Sequence, residues 1–362
     1  MNRTVLYHLA KDMQPLYTVE KPGFRKPLAT LDSKYQLPSR RHFAEQELPR
    51  LYTEVREKHV MPKLSKLTFF SGTTDLWTSA AKHPYLSLTA HFISDEWSLE
   101  TICLDTAPLF MDHTGQNLAE AFQDIVANWN LSQDKLVFTT TDNGSNSISA
   151  FDLLELPRLS CFGHNLDLAI DKALQVDRVQ QAIIRCHTLV GLFSWSWEKN
   201  RDLRQKQFEP QLPEHRLISD VTTRRSSTYS TITRILEQQQ AICAVLADDR
   251  KHWHLMPSDR EFTTLEIVSQ VLQPLSVFTD ALSGETQVTV LAIRPLLTHI
   301  TTSLLSVSTS DCMLMKDMKE TISDSLDPTT FRPFQLICCF SGHPAKNLGS
   351  VGQLEKEKNE YH

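Results

Sequence analysis

Between residues 67 and 174 the apolar pattern changes period several times, and the order of those changes limits the fold more than any other feature. Leu67-Thr-Phe69-Phe70-Ser-Gly-Thr-Thr-Asp75 is a β-rich run. Tyr85 to Ile93 alternates apolar and polar residues, the two-residue period of a half-buried strand. Trp97 to Leu104 reads as a third strand, joined to the second by the short polar turn Ser94-Asp95-Glu96. Thr114 then caps a helix predicted to run to about Asn130, with Leu118, Phe122, Ile125, Val126 and Trp129 on one stripe. Leu136 to Asp142 is a fourth strand. A short helix follows its Gly-Ser turn, and Arg158 to Phe162 forms a fifth strand leading into a helix from about His164.

Strand, strand, strand, helix, strand, helix, strand, helix is an α/β order that begins as an antiparallel meander and continues by crossovers. It is the order of an RNase H-like fold with a mixed sheet, in which the first and fourth strands are neighbours. Flanking it, residues 1–62 read as helical pieces broken by Pro15, Pro22, Pro27, Pro38, Pro49 and Pro62, with Pro22-Gly-Phe24-Arg-Lys-Pro27 as a basic, aromatic loop. After about residue 175 the spacing is helical, as in the stripe Val179, Ala182, Ile183, Cys186, Leu189 and Val190. Helical stretches are also expected over 231–246, 266–278 and 288–305. The expected organisation is therefore a helical segment over 1–62, an RNase H-like core over 63–175, a partial all-α insertion over 176–328, and a divergent, disordered tail over 329–362.

A chain of 362 residues accommodates about two domains of this kind. No apolar run approaches the ~18 residues of a membrane span, and the N-terminus lacks a signal-peptide core. Seven cysteines without framework spacing point to reduced thiols and a cytoplasmic or nuclear setting. The net charge is −6, yet the first sixty or so residues are positive by roughly four charges. A basic segment on an acidic body permits phosphate contact without requiring it.

Three groups of residues carry candidate chemistry. Asp75 and Asp142 are read as strand-end acids, the hard ligands that suit Mg2+ or Mn2+ in phosphoryl transfer. The plain alternative is turn chemistry, strongest for Asp142 in Asp142-Asn143-Gly144-Ser145. Cys161-Phe-Gly-His164 has the spacing of half a zinc site. It lacks a second half, so no complete zinc site is encoded, and a structural role for Cys161 and His164 is the alternative. In Asp220-Val-Thr-Thr-Arg224-Arg225-Ser226-Ser227-Thr228-Tyr229 the two arginines are candidates to clamp a nucleic-acid phosphate, against the alternative of a solvated basic turn.

Taken in order, these stretches resemble the hAT superfamily of transposases and their vertebrate descendants, the BED-type zinc finger-containing proteins. The match rests on Asp12 to Phe24, Leu31 to Ser39, Thr73-Thr-Asp75-Leu-Trp77-Thr-Ser79, Thr140-Thr-Asp142-Asn143, Cys161-x-x-His164 and Asp220-Val-Thr-Thr-Arg224. The resemblance implies that Asp75 and Asp142 are the first two acids of a DDE triad, which in active relatives holds two divalent ions. It also implies nuclear localisation, contact with DNA or protein partners, and a helical insertion from about 175. The chain departs from the family in three ways. No BED finger precedes residue 1, Arg225 stands where the family has Trp, and the sequence diverges after Ser325-Leu-Asp-Pro328. No glutamate matches the third acid, and the C-terminal dimerisation region is missing, so dimerisation is not expected.

The reading is a truncated, domesticated and catalytically inactive transposase derivative. The competing reading is a metal-dependent DNA transposase or nuclease whose third acid is local, such as Glu266 or Glu285. A further alternative is a splice product that does not fold stably.

Overall fold

In a computed structural model, residues 1–208, 210–220, 225–282 and 290–326 are described. The chain forms two compact units: residues 1–139 with 149–156, and residues 140–148 with those from 157 onward. Five strands, β1 (Phe70–Thr78), β2 (Pro84–Ile93), β3 (Leu99–Pro108), β4 (Leu136–Thr141) and β5 (Arg158–Ser160), form one mixed sheet in the order β3-β2-β1-β4-β5. The expected α/β class with an RNase H-like sheet order holds.

In the first unit, β2 alternates between a buried face of Leu86, Leu88, Ala90 and Phe92 and an outer face of Tyr85, Ser87, Thr89 and His91. The buried face packs under helix Gly115–Asn128, whose Leu118, Phe122, Ile125 and Val126 are all buried as their spacing predicts. Thr114 caps that helix, its hydroxyl accepting the Asn117 N–H at 3.2 Å. Two glycines allow close approach. A Cβ at Gly115 would lie 2.7 Å from Ser149 Cβ, and one at Gly72 would lie 3.1 Å from the buried Thr139 hydroxyl.

The N-terminal segment differs from its expected form. Pro22-Gly-Phe24-Arg-Lys-Pro27 is not a loop but the start of helix Pro22–Leu31. Pro22 sits in the first turn, where no N–H is needed. Over 40–65 the helical run passes straight through Pro49 and Pro62. Each proline is preceded by a widened π turn. Leu48 N–H bonds the carbonyl of Phe43, and Met61 N–H that of Arg56, five residues back rather than four. The wider turn makes room for the ring and absorbs the missing donor. Val5, Leu6, Leu9, Val19 and Phe43 give this segment a small core of its own.

Two strand boundaries are also corrected. Asp75 is not at the end of its strand, because β1 continues to Thr78. The pairs Leu76 with Leu86 and Thr78 with Pro84 extend the ladder, and the Trp77 and Tyr85 rings stack with centroids 5.0 Å apart. Trp97 belongs to the β2–β3 turn, at φ 59° and 90% exposed, rather than to β3. The turn runs from Ser94 to Ser98 and is closed by Ser94 N–H donating to Ser98 O at 2.9 Å.

The second unit is largely helical. Helix Asp177–Trp195 packs on Asp259–Leu282, Phe162–Leu174 on Met313–Ser325, and Trp197–Phe208 on Gln239–Ala247. The stripe of Val179, Ala182, Cys186, Leu189 and Val190 is buried, joined by Phe193, while Ile183 is half-buried. The helix expected over 231–246 is two, Arg225–Glu237 and Gln239–Ala247. The break falls at buried Gln238, whose amide accepts from Gln207 at 2.9 Å and donates to Pro213 O at 3.1 Å. A side chain committed to both of these partners holds the chain at the corner. The tail expected over 329–362 lies outside the described residues.

Candidate functional site

Asp75 belongs to the first unit, on the outer face of the sheet. The register builds that face in rows across β1, β2 and β3. Trp77 lies beside Tyr85 and Pro108, Asp75 beside Ser87 and Thr106, Thr73 beside Thr89 and Cys103, and Ser71 beside His91 and Thr101. His91 bridges two strands, its Nε2 3.0 Å from Thr73 Oγ1 and its Nδ1 3.1 Å from Thr101 Oγ1. Burial holds the His91 imidazole below its ordinary pKa, which favours the neutral ring in this hydroxyl setting. Asp75 itself is exposed, and no hydrogen bond or ion pair engages its carboxylate among the described residues. Only its backbone carbonyl is used, accepting from the Ser87 hydroxyl at 3.3 Å.

Asp142 belongs to the second unit and directly follows β4. Its Oδ1 accepts the Gly144 N–H at 3.1 Å, so one carboxylate oxygen performs the turn role that Asp-Asn-Gly chemistry predicts. Arg158 donates to the Thr141 hydroxyl at 3.0 Å and to the Asp142 carbonyl at 3.1 Å. Cys161 N–H donates to Thr141 O at 2.8 Å, and the Asn143 side chain bonds that of Asn165. These bonds tie the Asp142 turn to the Cys161-x-x-His164 stretch, where Cys161 stands at the N-cap position of helix Phe162–Leu174 without a side-chain capping bond and both residues are half-buried. The two motifs are separate in the sequence; the structure joins them through backbone and amide contacts.

No group of three or more His, Cys, Asp or Glu side chains that could hold a metal ion occurs among the described residues. The divalent pair implied by the DDE pattern calls for such a carboxylate set; one oxygen of Asp142 accepts the Gly144 N–H, and Asp75 and Asp142 belong to different units. Glu266 is exposed on helix Asp259–Leu282, and Glu285 lies outside the described residues.

The Asp220 stretch holds what sequence reasoning missed. Arg224 lies outside the described residues, as does the side chain of Arg225, which begins helix Arg225–Glu237. The carboxylate of Asp220 is only 4% exposed and is enclosed by donors. Ser227 donates to Oδ1 at 2.5 Å, Thr228 to Oδ2 at 3.0 Å, and His187 Nε2 lies 2.9 Å from Oδ2. Burial alone would raise the Asp220 pKa. The hydrogen bonds from Ser227, His187 and Thr228 outweigh it and hold the carboxyl below its ordinary value. The serine bonds the acid rather than the imidazole, so this is not the relay of a nucleophilic triad. It anchors a helix start to helix Asp177–Trp195. Next to it, burial first, then the charges of Glu261 and Asp220, push the Cys186 thiol up to about 12, which leaves it an inert packing group. The available signal was an acid six to eight residues before a run of hydroxyls at a helix start; nothing in the spacing pointed to His187.

Comparison with known proteins agrees with the sheet order and the helical second unit. Residues 73–162 match the family described as the ZBED1 RNase-like domain, and residues 159–271 match the ZBED1 RNase-like helical domain. Human zinc finger BED domain-containing protein 4 is 25% identical over 342 residues, covering 90% of this chain and 29% of that protein. The putative AC transposase of Zea mays is 27% identical over 296 residues, covering 76% of this chain and 36% of the transposase. Zinc finger BED domain-containing protein RICESLEEPER 2 of Oryza sativa is 22% identical over 277 residues, 72% of this chain and 38% of that protein. The chain spans about a third of the length of these relatives. The Drosophila P element transposase strand transfer complex aligns with 92% of this chain and 85% of its own at a TM-score of 0.30 and 8% identity, a likeness too distant to carry any argument. With two consecutive family matches, relatives of both the BED and the AC type, and a sheet in the RNase H-like order, the chain belongs to the hAT transposase-derived, BED-type family.

Proposed function

We propose that this chain is a domesticated nuclear protein that associates with DNA and does not cleave it. What supports the second half is the ligand set seen among the described residues. Among the described residues no three metal-capable side chains gather, and Asp142 spends a carboxylate oxygen on the Gly144 amide. In-line displacement at a phosphate needs both the attacking and the leaving oxygen stabilised. On this reading Asp75 and Asp142 by themselves do not supply that. DNA association is supported by relatives whose names mark them as transposases and BED zinc finger proteins, and by the positive N-terminal segment. Among the described residues no helix is long and apolar enough to cross a membrane. Binding to a protein partner is the variant of this reading in which the ancestral DNA contact has been given up.

The competing enzyme reading draws on one observation, the unengaged carboxylate of Asp75, which is free to take a ligand. Supercoiled plasmid incubated with the protein over a range of Mg2+ and Mn2+ concentrations separates the two. We expect no nicking above a protein-free control. Nicking that disappears in Asp75→Asn would overturn the proposal and leave the third acid to be found.

A further inference from the structure

The outer face of the sheet continues past the ends of its strands. Beyond the pair Thr78 and Pro84, Ser79 N–H donates to His83 O at 2.9 Å. Beyond Tyr85 and Pro108, Leu109 N–H donates to Pro84 O at 3.0 Å. Side chains return to the same face every second residue, so the next row is Ser79, His83 and Phe110. The rings of His83 and Phe110 meet edge to face with centroids 6.1 Å apart. With the stacked Trp77 and Tyr85 and the neighbouring Pro108, they make one aromatic block at this end of the sheet. Trp77 is 42% exposed and Phe110 75%, and Met111, which follows, is exposed as well. Large apolar side chains gathered on one surface mark a binding site, where the same residues scattered singly would not.

The charge around the block is mostly of one sign. On the rows from Ser71, His91 and Thr101 up to Ser79, His83 and Phe110, Asp75 is the one carboxylate, and neither Lys nor Arg occurs. Asp75 stands two residues from Trp77 on the same face, about 7 Å along the strand, and its carboxylate engages nothing among the described residues. Of the other acids of β3 and the segment after it, Glu100 is paired with Lys63, and Asp105 Oδ1 accepts its neighbour's Thr106 N–H at 2.7 Å. Asp112 is exposed beyond Met111. One cation, the exposed Lys82, stands in the turn between β1 and β2.

We propose that this aromatic block, with Asp75 at its border, docks an arginine-bearing segment of a protein partner. A planar guanidinium can lie on an indole face while donating two parallel hydrogen bonds to a carboxylate, which a lysine ammonium cannot do. Trp77 supplies the ring and Asp75 the acid. Tyr85, Pro108 and Phe110 offer flat apolar area to the side chains next to the arginine. Nucleic acid suits this face less well, because its phosphates would meet Asp75 and Asp112 with only Lys82 to balance them. This goes beyond the function proposed above and shares with it only that Asp75 carries no metal ion.

The test uses the whole chain in EDTA and a short fluorescein-labelled peptide of alternating arginine and proline, read by anisotropy. A twin peptide carries citrulline in place of arginine, which keeps the shape and removes the charge. Asp75→Asn and Trp77→Ala should each weaken binding by about tenfold, and Phe110→Ala by about threefold. Lys82→Ala removes the opposing cation and should tighten it by about twofold. The double variant Asp95→Asn, Glu96→Gln removes two exposed acids from the turn at the opposite end of the same strands and should change binding by less than about twofold. Thermal melts of Asp75→Asn and the double variant should match wild type, which keeps the charge comparison free of folding effects. Failure of wild type to bind, equal binding of the citrulline peptide, or an equal loss in the Asp95/Glu96 variant would overturn the proposal. So would self-association that Trp77→Ala or Phe110→Ala abolishes, which would make a second copy the occupant, or duplex DNA binding that the same variants weaken. Peptide binding seen in EDTA and abolished by Mn2+ would break the metal-free reading of Asp75 and leave the docking surface standing.

Discussion

Asp75 and Asp220 are both aspartates at motif positions of the same family pattern, and they have opposite surroundings. Asp220 is nearly sealed from solvent and receives hydrogen bonds from Ser227, Thr228 and His187. Asp75 stands exposed on a sheet face of hydroxyls and stacked rings, its carboxylate without a partner among the described residues. A buried carboxylate is tolerated only when its oxygens are satisfied, so Asp220 must belong to the architecture. An exposed, unengaged one contributes little to folding, so the fold itself gives no reason for an acid at Asp75. The same residue type in the same lineage has been absorbed into the fold in one unit and left outside it in the other.

Removing Asp220 is the strongest way to break this contrast. Asp220→Ala leaves two hydroxyls and an imidazole without their acceptor and should destabilise the second unit by about 2–3 kcal/mol, measured by urea unfolding followed by circular dichroism. The pH dependence has a definite sign. The Asp220 pKa is lowered in the folded state, so its contribution is present above the unfolded carboxyl value and is lost as pH falls through the folded one. Wild type should therefore lose stability on acidification, and Asp220→Asn should flatten part of that loss. An Asp220→Asn curve parallel to wild type would mean that the hydrogen-bonded carboxylate adds nothing.

The first unit needs a comparable test, so that a silent Asp75 substitution is not mistaken for a unit that tolerates everything. Gly115→Ala supplies it. The added methyl meets Ser149 Cβ at 2.7 Å and Ser149 Oγ closer still, and the two helices must separate. Overpacking of this kind costs about 1–3 kcal/mol, visible as a lowered melting temperature. Thr228→Val, which deletes one of the three donors to Asp220, sharpens the comparison further and should cost about 0.5–1.5 kcal/mol. Asp75→Asn should fall within about 0.5 kcal/mol of wild type. A larger loss would show that the exposed acid supports the fold after all.

Much of this was legible in the sequence, and the reasons for the rest are specific. The strand order and the core stripe of Leu118, Phe122, Ile125 and Val126 followed from periodicity, because burial on one face imposes it directly. The prolines misled, since a π turn ahead of Pro49 and Pro62 lets a helix absorb what propensity says should break it. A run of polar Thr and Asp residues resembles a turn and so predicts a strand end at Asp75. The pairing across to β2 and the Trp77–Tyr85 stack carry the strand three residues further. The turn role of Asp142 could be read locally from Asp-Asn-Gly. The partnership of His187 with Asp220 could not, because those residues lie 33 apart and meet only when two helices pack.

On the proposed function, Asp75 and Asp142 do not hold a divalent ion in a working site. Titrating the intact protein with Mn2+ and following the free-ion electron paramagnetic resonance signal tests it most directly. No saturable stoichiometric site is expected, and titrations of wild type, Asp75→Asn and Asp142→Asn should be identical. A stoichiometric site in wild type that either substitution removes would contradict it.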